Sequence, residues 1–177
     1  MAKKIYDKII EIIFEKPSYH FHLRELARLA NVHPNSVKAT ALELKKENIA
    51  KIERKKHLTE IFADLESKNF AKKKREFNFM NIYQSGIVEH LAEAFDPEAV
   101  SVIGSYSRGE DIESSDIDVV IVKPLKATKK SIQVDKFEEK LKRKIHLIAT
   151  DYNEMSDEFY INLINGMLLY GHLAKKK

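Results

Sequence analysis

The chain has 177 residues, 44% of them hydrophobic and 33% charged, with 5 Gly, 4 Pro and no Cys. That suits one large folded domain or two small ones, and excludes a disulfide framework, a cysteine-ligated zinc and a cysteine nucleophile. The net charge of +4 is unevenly spread: residues 1–83 carry 18 Lys and Arg against 11 Asp and Glu, and residues 84–177 carry 13 against 16, so a half suited to phosphate precedes a half suited to a cation.

No apolar run reaches the ~18–20 residues of a membrane span. Met1-Ala2-Lys3-Lys4-Ile5 lacks the apolar stretch and cleavage site of a secretory signal. A cytoplasmic protein without membrane contact is therefore expected.

In chain order, Ile5, Ile9, Ile12 and Ile13 recur at helical spacing and predict a helix over 4–15, stopped by Pro17 and Ser18. His20 and His22, flanked by Tyr19 and Phe21, read as packing or loop. Leu23, Leu26, Ala27 and Ala30 predict a second helix over 23–30. Asn31-Val32-His33 reads as a turn, and Pro34 as the first residue of a third helix reaching about Asn48. Val37, Ala41 and Leu44 form its inward stripe. Two strands joined by a basic tip, Lys55-Lys56-His57, are expected over 49–54 and 58–64.

Helical periodicity continues over 70–95 through Phe77, Met80, Tyr83, Ile87 and Leu91, with Gly86 as a break. Lys72–Arg75 lie on its early part as a solvated face. From residue 98 the texture changes to strands at 99–103, 117–122 (closed by Pro124) and 145–149. A helix is expected over 128–143, with Ile132, Phe137 and Leu141 inward, and a last helix over 152–170.

The chemistry concentrates in Gly104-Ser105-Tyr106-Ser107-Arg108-Gly109 and Asp116-Ile117-Asp118. Asp116 and Asp118 sit two apart on an expected strand, so both carboxylates share a face. Their mutual repulsion, about 1 kcal/mol or more, is relieved by a hard divalent cation such as Mg2+ or Mn2+. Gly104 permits close backbone approach. Ser105 and the free amides of a helix start can hold phosphate oxygens, with Arg108 adding charge. Taken singly, each feature is an ordinary turn or strand face; together they form the layout of a metal–nucleotide site.

Gly-Ser, ten residues, then Asp-x-Asp, with Arg-Gly between, resembles the signature of the polymerase β-type nucleotidyltransferase superfamily, closest to its minimal nucleotidyltransferases. The resemblance covers residues 86–172. The segment 162–171 also resembles that group's last helix. It implies a mixed sheet flanked by helices. It also implies a reaction in which a nucleoside monophosphate passes from an NTP, with ATP the first choice, to a hydroxyl acceptor. Asp116 and Asp118 would hold metal; Gly104 and Ser105 would hold the triphosphate, assisted by Arg108. The family places a third carboxylate on the next strand, where this chain reads Ile145-His146-Leu147. His146 can ligate a metal or act as a base but brings no negative charge. Asp151, at the opposite strand parity, is the weaker substitute.

The order helix, helix, turn, helix, hairpin resembles a winged helix-turn-helix domain. The resemblance implies double-stranded DNA as a partner, with Asn35, Ser36, Lys38 and Thr40 facing the major groove and Arg54, Lys55 and Lys56 meeting backbone. A protein-binding or dimerising module is the alternative. His20, His22, His33 and His57 lack the partners of a metal site.

The expectation is an α+β protein: a winged helix-turn-helix domain over 1–69, a helical connector over 70–85 and a nucleotidyltransferase domain over 86–174. Two functions follow: an NTP- and Mg2+-dependent nucleotidyltransferase coupled to DNA binding, or a DNA-binding regulator whose nucleotide site turns over weakly. A protein hydroxyl on a HEPN-type partner is one possible acceptor, a homodimer one possible assembly, and an inert interaction scaffold a third reading.

Overall fold

The structure is a computed structural model, and it describes residues 2–56, 58–123 and 133–175. The chain divides into two compact units, Met1–Phe77 and Asn78–Lys177.

The first unit opens with α1 (Ala2–Glu15), a two-residue strand β1 (Phe21–His22), α2 (Leu23–Ala30) and α3 (Pro34–Lys46). Asn31 ends α2 in the left-handed region, at φ 53°, and its amide returns to Ala27 and Arg28 carbonyls. Pro34 then opens α3, whose N-cap is His33; the Asn35 amide donates to His33 Nδ1 at 3.2 Å. The hairpin β2 (Ala50–Lys55) and β3 (Leu58–Ala63) follows, paired from Ala50↔Ala63 to Lys55↔Leu58. Its tip residue His57 lies outside the described residues.

The stretch around His20 and His22 is not simply packing or loop. Phe21 pairs with Ile61 and His22 with Glu60, adding a third strand in the order β1-β3-β2. Two residues are too short for periodicity to reveal; the fully buried Phe21 ring holds them there. Ile9, Ile13, Leu26, Val37, Leu44 and Phe70 build the core of this unit.

Helix α4 (Lys68–Ser85) crosses the division between the units. The expected Met80 and Tyr83 stripe is not its inward face, for both are about half exposed, at 49% and 48%. The buried positions are Phe70, Lys74, Asn78, Ile82 and Ser85. They step by three or four, but three are polar, so an apolar pattern misses them. Lys74 donates to the Phe14 carbonyl at 3.0 Å within the first unit.

The second unit continues with α5 (Ile87–Phe95), β4 (Ala99–Ile103), α6 (Gly104–Arg108), β5 (Ile117–Val122), α7 (Asp135–Leu141), β6 (Ile145–Thr150), α8 (Asp157–Ile164) and β7 (Met167–Gly171). The sheet order is β6-β5-β4-β7, with β5 and β6 parallel and the other pairs antiparallel. Both faces are covered. Val119 and Ile121 join Ile87, Leu91 and Phe137; Val120 and Val122 join Met155 and Leu163. Two-sided burial explains the unbroken Val/Ile run of β5. The start of the expected 128–143 helix, with Ile132 and the preceding Pro124, lies outside the described residues.

The expected last helix, 152–170, is instead a short helix and a strand. Ser156 caps α8 by accepting from the Phe159 amide at 3.1 Å. After Gly166 the chain turns and β7 pairs along β4 from Met167↔Val102 to Gly171↔Ala99. Met167 is buried and Leu168 and Tyr170 are exposed, a strand alternation that Met-Leu-Leu-Tyr leaves ambiguous in sequence.

Gly171 has φ +70°, and a Cβ there would lie 2.0 Å from the Glu98 carbonyl oxygen, whereas Gly86, at φ +83°, has open space. We predict that Gly86→Ala costs about 1 kcal/mol from backbone strain alone, and Gly171→Ala at least about 2 kcal/mol, strain and clash together. Urea denaturation of the two variants measures both; equal losses would contradict the strand assignment at Gly171.

Candidate functional site

The site is built at the point where β4 ends. Ile103 is opposite Asp118 in the β4–β5 ladder. Gly104 then turns at φ +76° to begin α6, and a Cβ at this position would stand 3.0 Å from Asp118 Oδ2. The glycine therefore lets the backbone lie directly beside the carboxylate. Within α6 the Ser107 hydroxyl donates to the Gly104 carbonyl at 2.8 Å. Gly109 ends the helix, its amide returning to the Ser105 and Tyr106 carbonyls. The first amides of the helix, at Ser105 and Tyr106, have no acceptor inside it.

Beneath α6 lies a buried polar scaffold. Asn78 Nδ2 donates to the Tyr106 carbonyl at 2.9 Å and to Asp111 Oδ1 at 2.7 Å. Asp111, 1% exposed, also faces Arg143 Nη2 at 3.9 Å. Burial raises the Tyr106 phenol well above its ordinary pKa; the Asp111 charge adds to this and Arg143 opposes it. Asn78 and Asp111 were not among the expected site residues. Their signal is a polar side chain on the inward side of a helix and an acid just after the Arg-Gly pair.

Asp118 and His146 meet across the parallel pair β5–β6, in register, with His146 Nδ1 3.1 Å from Asp118 Oδ1. The imidazole is 66% exposed and the carboxylate 37%. Asp116, expected on the strand, precedes it. The ladder starts at Ile117, whose amide donates to the Lys144 carbonyl at 2.8 Å, and Asp116 follows the turn in which the Ile112 amide meets Ser115 Oγ at 3.0 Å. Asp116 is exposed and lines a cavity of about 520 Å3 with Ser115, Asp135, Glu138 and Lys144. Lys144 pairs with Glu138 at 2.8 Å, which holds Glu138 below the usual carboxylate range and Lys144 above its own.

Gly104, Asp118 and His146 are thus brought into contact, with Ser105 next along α6. Arg108 is turned to Glu110, Nε to Oε2 at 2.6 Å, both about half exposed. Asp151 accepts from both the amide and the side chain of Asn153 at 2.9 Å, a turn of its own after β6. Among the described residues no three His, Asp or Glu side chains group as a metal centre. Asp116 and Asp118 supply two hard carboxylate donors, the ligand chemistry a divalent cation takes.

In the first unit Asn35 and Lys38 on α3 are exposed, as are Arg54, Lys55 and Lys56 on the hairpin, while Ser36 is half-buried. Thr40 corrects the expectation: it is 7% exposed, lying between Val37 and Ala41 on the side of α3 that packs inward. Lys55 is bound to Glu53 and Glu60 at 3.1 and 3.2 Å.

Residues 85–169 match the family model of the nucleotidyltransferase domain. The mixed sheet with its flanking helices fits that fold, and the match supports the nucleotidyltransferase superfamily and nucleotidyl transfer in general for this half of the chain. No curated protein and no solved structure gave a significant match. Among the described residues no helix is long and apolar enough to cross a membrane.

The scaffold beneath α6 is open to test. Asn78→Ala is expected to lower unfolding free energy by about 1–2 kcal/mol, because it removes one buried hydrogen bond from the Asp111 carboxylate and one from the Tyr106 carbonyl. Arg108→Ala is expected to change it by less than about 0.5 kcal/mol. Chemical denaturation reads both.

Proposed function

We propose that the second unit transfers a nucleoside monophosphate from an NTP to a hydroxyl acceptor. The observation that carries this reading is the Asp118 carboxylate lying where a side chain at Gly104 would stand, at the start of a helix, inside the segment matched to the nucleotidyltransferase domain. The amides opening α6 and the Ser105 hydroxyl take phosphate oxygens. Arg108 joins them by exchanging Glu110 for phosphate. Asp116 and Asp118 would hold Mg2+ or Mn2+, which when bound neutralises charge on the triphosphate. With Nδ1–H donating to Asp118, the basic nitrogen of His146 is Nε2. The acceptor oxygen attacks the α-phosphorus, pyrophosphate leaves, and the acceptor's proton passes to that nitrogen. ATP is the NTP to test first, and a protein hydroxyl, as on a HEPN-type partner, is one acceptor that fits.

A second reading is favoured by His146 itself. The strand position beside Asp118 carries an imidazole, and Asp151 is engaged in its own turn. A site with two carboxylates holds a dication less strongly than one with three. On this reading the unit senses nucleotide and turns over slowly.

For the first unit we propose a winged helix-turn-helix role: Asn35, Ser36 and Lys38 on α3 and Arg54, Lys55 and Lys56 on the hairpin meet duplex DNA.

Incubation with α-labelled ATP, Mg2+ or Mn2+ and cell extract tests the enzyme. Label is expected on an acceptor with the native chain and absent with Asp116→Ala/Asp118→Ala; identical labelling by the two would end the transfer reading. His146→Asp is expected to raise transfer about tenfold or more if the second reading holds, and to lower it if His146 is the base.

A mobility shift tests the DNA role. Contact with about five phosphates gives a log–log salt slope of about −4 to −5. Removing Lys38, Arg54 and Lys56 together should flatten that slope by about two to three. A shift indifferent to all three would exclude this face.

A further inference from the structure

The first unit holds a cavity of about 360 Å3 between α3 and the hairpin. Ala41 and Leu42 from α3 and Ile52 and Ile61 from the two strands are among its walls, with Lys38 and Arg54 beside them. The size falls in the range of small-molecule sites, and the lining has their usual character, mostly apolar with a few polar groups. Leu42 is 44% exposed, so part of its apolar surface remains uncovered.

The charges are as informative as the walls. Two neighbouring lysines on the hairpin are paired, Lys51 with Asp64 and Glu66 and Lys55 with Glu53 and Glu60, while Lys56 at the tip does not line the cavity. Among the described residues, Lys38 and Arg54 make no ion pair. They are the two cations that line the cavity. A guanidinium and an ammonium together suit a carboxylate, which Arg can take through two parallel hydrogen bonds. The apolar walls call for a hydrocarbon body behind it. A nucleic-acid backbone would use the cations but gain little from Leu42 and Ile52, the exposed part of the apolar wall, since Ala41 and Ile61 are buried behind it.

We propose that this cavity binds a small monocarboxylate with an apolar chain or ring, its carboxylate between Lys38 and Arg54 and its hydrocarbon against Leu42 and Ile52. The site does not depend on the transfer reading, but it shares Lys38 and Arg54 with the proposed DNA face, so a bound carboxylate and duplex DNA would compete for these two cations.

Methyl NMR on the full chain tests it, with octanoate as the probe and octan-1-ol as the neutral comparison. Octanoate is expected to shift the Leu42 and Ile52 methyl signals and to bind about tenfold more tightly than octan-1-ol, the preference two half-solvated ion pairs can supply. Lys38→Met/Arg54→Met is expected to abolish that preference while the alcohol still binds. Leu42→Glu, at a half-exposed position that should not disturb folding, is expected to weaken octanoate at least tenfold. Equal binding of acid and alcohol by the native chain, or native octanoate affinity in Leu42→Glu, would overturn the proposal. So would the absence of any methyl shift with octanoate. Shifts with a short DNA duplex but none with octanoate would assign the cavity to a nucleic-acid surface instead.

Discussion

The contact on which the C-terminal site depends is between a missing side chain and a carboxylate. Asp118 Oδ2 lies 3.0 Å from where a Cβ of residue 104 would be. Only glycine accepts both that neighbour and a φ of +76°. The β4–β5 register, Ile103 opposite Asp118, carries the acid to the helix start. The β5–β6 register, Asp118 opposite His146, carries the imidazole to the acid. A slip of one residue in either ladder would turn Asp118 toward the Ile87–Leu91 core and destroy the site. Both faces of β5 are apolar, Val119 and Ile121 on one side and Val120 and Val122 on the other, so it is the ladder pairing, not a polar–apolar alternation, that sets where Asp118 stands.

What holds α6 in place is polar as well as apolar: its Tyr106 ring is buried in the core with Ile82, Ile87 and Leu91, and hydrogen bonds set its direction. Asn78 reaches both the Tyr106 carbonyl and Asp111. A buried amide that spans two acceptors is directional in a way that packed methyl groups are not. Tyr106 shows the cost of that arrangement: its phenol is pushed upward by burial and by the Asp111 carboxylate, so it stays neutral throughout the physiological range. Its hydroxyl donates to the Asn78 carbonyl at 3.4 Å. These bonds position α6; none of the three side chains is placed at reacting atoms.

Much of this was legible in the residues alone, for identifiable reasons. Pro34 and the Asn31 turn mark their helix boundaries because each residue type restricts the backbone. The strands at 99–103 and 117–122 stand out because both of their faces are apolar. What escaped was of two kinds. Phe21–His22 and Met167–Gly171 are strands only because β3 and β4 offer them an open edge, a tertiary fact with little local signature. The inward face of α4 was misread because Lys74, Asn78 and Ser85 are buried on it. A polar side chain is inward only when a partner such as the Phe14 carbonyl or Asp111 waits for it, and sequence does not display the partner. Asp116 was misplaced by a single residue, which changes its role from a strand side chain to a loop side chain at the edge of a charged cavity.

That displacement bears on how the two acids would share a metal. Asp118 is tied to the ladder and to His146, so its direction is set before anything binds. Asp116 lies outside the ladder, exposed, after a turn closed by Ser115. One of the two proposed ligands would thus be preorganised and the other adjustable. Such a pair depends more heavily on phosphate oxygens to complete a coordination shell than a rigid carboxylate triad does. A site of this kind would take its metal together with the nucleotide rather than ahead of it. An imidazole at His146, where the proposed site has no third carboxylate, would push in the same direction, because less negative charge would come from the protein and more from the triphosphate.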